Sequence, residues 1–219
     1  MLLAPTPKDV LQKDGTSRLY RFRSAKSPRK MAPLLLVPSM INRWYVLDLR
    51  AGSSLAEALT EQGIPTYCLD WGIAEDEDRY LSWDDVLKRL ARTVRAVKRQ
   101  TGASSVGLLG YCMGGTLAGI YSALHPTEVK ALINLAGPFD FAKGGLLADM
   151  VQAPYFDADA IADAGNVSPP QMQSGFTAMR PTAQLSKWLG AFDRAIDPKA
   201  RESFEALEAW ASDLSLIHI

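Results

Sequence analysis

One stretch constrains this chain more than any other: Val106 to Leu117, reading VGLLGYCMGGTL. The run Val106 to Leu109 has the length and composition of a buried strand, and Thr116 to Leu124 reads as a helix. Between them, Gly110-Tyr111-Cys112-Met113-Gly114-Gly115 forms a sharp strand-to-helix turn with a nucleophile at its apex. The backbone at such an apex is strained. Positions two before and two after it must be nearly free of side chain for strand and helix to meet. Gly110 and Gly114 stand at those positions, which makes Cys112 the candidate nucleophile. Unpaired N–H groups and the macrodipole at a helix start favour an anion, and so favour the thiolate of a cysteine placed there. The competing reading is a buried, inert cysteine beside a glycine-rich turn. It does not account for strand, turn and helix in that order.

The surrounding sequence alternates strand and helix. Leu34 to Val37 is a short apolar strand closed by Pro38 and followed by the loop Ser39-Met40-Ile41-Asn42-Arg43. Ser54 with Glu57 resembles a capping box for a helix that Gly63 stops, and Thr66 to Asp70 follows as a second buried strand. Ser82 with Asp85 opens another helix. Its apolar stripe is Trp83, Val86, Leu87, Leu90, Ala91, Val94 and Val97, and its wet face is Lys88, Arg89, Arg92, Arg95, Lys98 and Arg99. Val129 to Leu135 supplies a strand after the nucleophile turn. This order predicts an α/β fold of the α/β-hydrolase type: a parallel sheet with helices on both faces, incomplete in this chain.

The expected organisation has four parts. Residues 1–32 form a polar, basic N-terminal extension with an edge strand near Arg18 to Arg23, its basic run being a solvated face. Residues 33–138 are the N-terminal half of the core. Residues 139–213, rich in Ala, Met, Pro, Gln and Trp and including an amphipathic helix near Ser203 to Ala211, are a mostly helical cap that would exclude water and shape an acyl pocket. Residues 214–219 match the translation of a transposon-end adapter used in sequencing-library preparation, and are expected to be a non-native tail on a C-terminally truncated fragment.

Composition narrows the function classes. The 219 residues carry 24 basic and 24 acidic side chains and are 47% hydrophobic, which argues against disorder and against nucleic-acid binding. No apolar run approaches the roughly 18 residues of a membrane span, and Met1 to Val10 lacks a signal pattern, so a cytoplasmic chain is expected. The two cysteines, Cys68 and Cys112, sit at or in predicted strands, and no disulfide is expected. No metal site is read from the sequence. The histidines are His125, too early in the chain to serve as base to Cys112, and His218, in the suspect tail.

Several segments together resemble the polyhydroxyalkanoate (poly-3-hydroxybutyrate) synthases. They are LLLVPSMINRWYVLDL from Leu34, SLAEALTEQGIPTYCLDWG from Ser54, DRY from Asp78, VGLLGYCMGGTLA from Val106, ALHPTEVKALINLAGPFDF from Ala123 and ALEAWASD from Ala206. The resemblance implies an acyltransferase that polymerises 3-hydroxyacyl groups from coenzyme A thioesters. Cys112 would be the nucleophile, and the backbone N–H groups of Met113 and Ile41 the oxyanion hole. It implies no bound cofactor, the substrate itself carrying coenzyme A, and as partners the acyl-CoA, the growing polyester chain and a second synthase subunit or a second copy. The polymer granule surface is a further expected location. The family's catalytic aspartate and histidine have no counterpart in this chain, so the fragment itself is expected to be inactive. The rival readings are a cysteine hydrolase of small esters or lactones on the same fold, and a non-catalytic granule-associated binding protein.

Overall fold

The computed structural model describes residues 3–145, 148–149, 151–152, 156–179 and 197–213. The expected tail, 214–219 with His218, lies outside the described residues.

Among the described residues the strands are β1 Lys8–Asp14, β2 Ser17–Phe22, β3 Leu34–Val37, β4 Asp48–Arg50, β5 Ser53–Ser54, β6 Thr66–Asp70, β7 Val106–Tyr111 and β8 Val129–Leu135. The helices are α1 Leu55–Glu61, α2 Trp83–Thr101, α3 Met113–Leu124, α4 Ala158–Ala164, α5 Pro169–Met179 and α6 Pro198–Ser212. Six strands make the main sheet in the order β1-β2-β6-β3-β7-β8. β3 runs parallel to β6 and β7, and β7 parallel to β8, as the alternation of strand and helix predicts. The two N-terminal strands depart from that expectation. They are antiparallel, because a tight turn through Gly15 at φ 59° can join only antiparallel neighbours. The strand read near Arg18 to Arg23 is not an edge either: β2 is flanked by β1 and β6, and β1 takes the edge.

Alternation along the central strands divides the core between two faces. Leu35, Val37, Tyr67 and Leu69 pack with Val86, Leu90, Val94 and Val97 of α2 and with Leu117, Ala118 and Tyr121 of α3. Leu36 and Cys68 point the other way, to Trp44, Tyr45, Leu47, Leu49, Ala56 of α1 and Ala206 of α6. Helices therefore cover both faces.

Helix α2 carries the full reciprocal capping box at Ser82 and Asp85 and ends at Gly102, φ 69°. Two of its residues differ from the sequence reading. Trp83, the first helical residue, is 56% exposed, so the buried stripe begins at Val86. Arg89 is only 12% exposed because its guanidinium is paired with Asp78 at 3.8 Å. In α1, Ser54 Oγ accepts the Glu57 N–H as expected, but the Glu57 carboxylate turns to the Gly52 N–H, 2.9 Å away.

β8 is the other edge of the sheet, and Leu132, Ile133 and Leu135 on it are 39%, 50% and 43% exposed. Beyond it, a short 3-10 turn (Phe141–Lys143) and α4 to α6 are the described elements of 139–213. Among the described residues, the hydrogen bonds they make to the core fall in two places. Arg79 Nη2 donates to the Asp163 carbonyl at 3.1 Å and Asn166 Nδ2 to the Glu75 carbonyl at 3.0 Å, while α6 lies on 43–50. Both places follow the C-terminal ends of parallel strands, β6 and β3 respectively.

Candidate active site

From β3 the chain passes to β6 on one side and then returns to β7 on the other. Such a reversal opens a crevice at the carboxyl ends of the strands. Cys112 stands there, directly after β7, with φ 53° and ψ −128°. It is one of three non-glycine residues with positive φ among the described residues. An L-residue in that region costs about 1–3 kcal/mol and persists only where its surroundings impose it.

The surroundings are visible bond by bond. The Cys112 N–H donates to the Leu135 carbonyl at 2.9 Å, and the Cys112 carbonyl accepts the Gly115 N–H at 2.7 Å. Neither Gly110 nor Gly114 has room for a side chain. A Cβ on Gly110 would lie 2.5 Å from the Gly114 carbonyl oxygen and 2.5 Å from Gly115 Cα, and one on Gly114 would lie 2.5 Å from the Pro38 carbonyl oxygen. The start of α3 thus presses on the end of β3, bringing the Ser39 loop beside the nucleophile turn. The thiol of Cys112 is free and half-buried. Cys68 is also free but fully buried, and burial pushes its thiol well above the ordinary range.

Met113 is the first residue of α3, so its N–H has no acceptor within the helix. The Ile41 N–H donates to Ser39 Oγ at 3.1 Å. His125 closes the far end of α3, about 20 Å from Cys112 at about 1.5 Å per residue over the helix. There it stacks on Tyr121 at 4.5 Å, consistent with its reading as a loop histidine.

Three parts of the frame escaped sequence reasoning. Asn134 Nδ2 donates to the Gly137 carbonyl at 2.8 Å, and its Oδ1 accepts the Gly137 N–H at 3.0 Å. This clasp holds Ala136 at φ 57° and sets Leu135 under Cys112. Trp71 Nε1 donates to the Pro38 carbonyl at 2.9 Å. Asp48, fully buried, accepts from the Thr6 hydroxyl at 2.6 Å and the Ser54 hydroxyl at 2.7 Å and faces Lys8 at 3.6 Å. Its carboxyl is raised above the ordinary range by burial, against those hydrogen bonds. An asparagine three residues before a glycine was the only sequence signal for the clasp.

The family model described as alpha/beta hydrolase fold matches residues 32–213. The chain belongs to the alpha/beta hydrolase fold family. A second family model, described as the poly-beta-hydroxybutyrate polymerase (PhaC) N-terminus, matches residues 2–59. The chain's relatives include the poly(3-hydroxyalkanoate) polymerase subunits PhaC of Haloferax mediterranei, 35% identical over 95% of this chain and 43% of that protein, and of Synechocystis, 31% identical over 95% and 57%. The subunit of Allochromatium vinosum is 31% identical over 95% of this chain and 60% of its own length. The chain thus spans about half the length of these curated relatives.

In this chain of the alpha/beta hydrolase fold a cavity of about 770 Å³, lined in part by Leu34, Leu59, Ile64, Gly107 and Ile133, lies at the opposite, N-terminal ends of the strands, and Cys112 is not among its lining residues. Among the described residues no group of three or more His, Cys, Asp or Glu is placed to hold a metal ion, and no helix is long and apolar enough to cross a membrane.

Proposed function

We propose that the chain is the nucleophile-bearing part of a polyhydroxyalkanoate synthase, in which Cys112 carries the growing acyl group. The observation that carries this reading is the Cys112 backbone, held at φ 53° between β7 and α3, in a chain whose relatives are named poly(3-hydroxyalkanoate) polymerases.

The thiolate of Cys112 attacks the carbonyl carbon of a 3-hydroxyacyl-CoA. A C–S bond forms, the carbonyl electrons move to oxygen, and collapse expels the coenzyme A thiolate, which takes up the proton that left Cys112. The new thioester is nearly equal in free energy to the old one. A hydroxyl, from a second 3-hydroxyacyl group or the end of the polymer, then attacks it, loses its proton to a base, and releases the thiolate as an ester forms. An ester at a serine would lack that downhill second step. Two backbone donors, Met113 N–H and Ile41 N–H, stabilise each oxyanion, at about 2.7–4 kcal/mol per donor. To do so Ile41 exchanges Ser39 Oγ for the substrate oxygen. The segment 139–213 serves as a cap that keeps water from the acyl-enzyme. The substrate brings its own coenzyme A, no bound cofactor takes part, and the polymer accumulates in the cytoplasm with a second subunit or a second copy as partner.

Incubation with 3-hydroxybutyryl-CoA followed by mass spectrometry tests the reading. A 3-hydroxybutyryl adduct on the Cys112 peptide, absent in Cys112→Ala, is expected; an unmodified Cys112 after prolonged incubation overturns it. Hydrolysis of that adduct to free 3-hydroxybutyrate favours the hydrolase instead.

A further inference from the structure

Two of the motifs that carry the family resemblance, INRWYVLDL and ALEAWASD, have no part in the chemistry above, yet they meet in the fold. Trp210 Nε1 donates to the Arg43 carbonyl at 2.9 Å, across 167 residues of sequence. The Tyr45 hydroxyl donates to Asp213 Oδ2 at 2.6 Å, and the Arg43 Nε lies 3.9 Å from the same oxygen. Burial, together with that bond to a carboxylate, raises the Tyr45 hydroxyl above its ordinary range, so it stays a donor. Arg43 is 14% exposed, its Nε and Nη1 are buried without a hydrogen-bond partner, and the Asp213 carboxylate is its countercharge. Ala206, between these contacts and the rest of α6, is fully buried.

All of these bonds land on the segment that directly follows Ile41. At its other end this loop is held by Trp71 on the Pro38 carbonyl. We infer that Trp210 and Asp213 are positioning residues for acyl transfer: by gripping the Arg43 carbonyl and the Tyr45 hydroxyl they hold the loop that presents the Ile41 N–H. This rests on the proposed function, and it couples the cap helix α6 to the oxyanion donor instead of making α6 only a cover.

The test exploits a difference in chemistry. Acylation of Cys112 passes through an oxyanion; alkylation of the same sulfur by iodoacetamide does not. Trp210→Phe keeps the apolar bulk and removes the N–H, and Tyr45→Phe removes only the hydroxyl. Each is expected to slow Cys112 acylation by 3-hydroxybutyryl-CoA about tenfold, a fraction of the 10²–10³ seen when an oxyanion donor is lost altogether, with the iodoacetamide rate within about twofold of the parent. Ser203→Ala, which cuts a bond from the same helix to Arg50, is expected to change neither rate. Unchanged acylation in both Phe variants overturns the inference. So does a parallel fall in both rates, which would mean lost folding or access, or an equal slowing in Ser203→Ala. If the parent chain is not acylated at all, the proposed function itself fails and the inference with it.

Discussion

The indole N–H of Trp71 donates to the carbonyl of Pro38 at 2.9 Å and so ties the residue after β6 to the residue after β3. Both are nearly out of solvent, and the Pro38 carbonyl is also one of the atoms against which Gly114 packs. Trp71→Phe leaves that buried carbonyl without its donor. A loss of about 1–3 kcal/mol is expected in urea unfolding. Acylation of Cys112 should slow as well, because the Ser39 loop loses its anchor.

Cys112 sits where glycine would be relaxed. Cys112→Gly removes the strain of φ 53° at the cost of extra unfolded-chain entropy, and Cys112→Ala keeps the strain. Cys112→Gly should therefore be more stable than Cys112→Ala by about 1 kcal/mol in urea unfolding, with both devoid of acylation. Equal stabilities would mean the backbone at this position is not strained in solution.

The two cysteines should separate cleanly by reactivity. Cys68 is fully buried with its thiol pushed up by burial, and Cys112 is half-buried at a helix start. Under native conditions iodoacetamide should modify the Cys112 peptide alone; in urea both peptides should be modified. Native modification of Cys68 would contradict its place in the core.

Two aspartates should give opposite pH dependence. Asp9 is lowered from 3.8 to about 2, first by its hydrogen bond from Arg23 and then by that from Arg21. The stability it contributes is present above the unfolded value and is lost as the pH falls toward about 2. Asp48 is raised by burial, so its contribution is present below the unfolded value and is lost as the pH rises through the folded one. In urea unfolding across pH, the gap between parent and Asp9→Asn should close on acidification. The gap between parent and Asp48→Asn should shift in the reverse direction.

Among the described residues β8 is an edge strand without an outer neighbour, and its Leu132, Ile133 and Leu135 are substantially exposed. Such edges recruit further strands, and a lysine on them is a known deterrent. Sedimentation of this chain should show concentration-dependent association, reduced in Ile133→Lys. A parent that sediments as a monomer at all concentrations would show that the edge is already protected.

Legibility followed the range of the interaction. The strand, the tight turn and the helix around Cys112 were readable because each depends on neighbours in sequence: an apolar run, and glycines two residues either side of the apex. The caps at Ser54 and Ser82 were readable for the same reason. The placement of β2 was not, since an amphipathic strand carries no mark of which neighbour it will pair with on its second side. Arg89 looked like any solvated cation on α2 until Asp78 lay over it.

What the sequence determined by itself was thus local geometry: a cysteine on a strained corner between a strand and a helix. What only the tertiary structure decided was everything that holds the corner's surroundings in register. Thr6 reaches Asp48 across 42 residues and Tyr45 reaches Asp213 across 168. Residues that far apart leave no period or spacing to read. Their pairing exists only once the sheet has brought the carboxyl ends of its strands, and the loops that leave them, to one side.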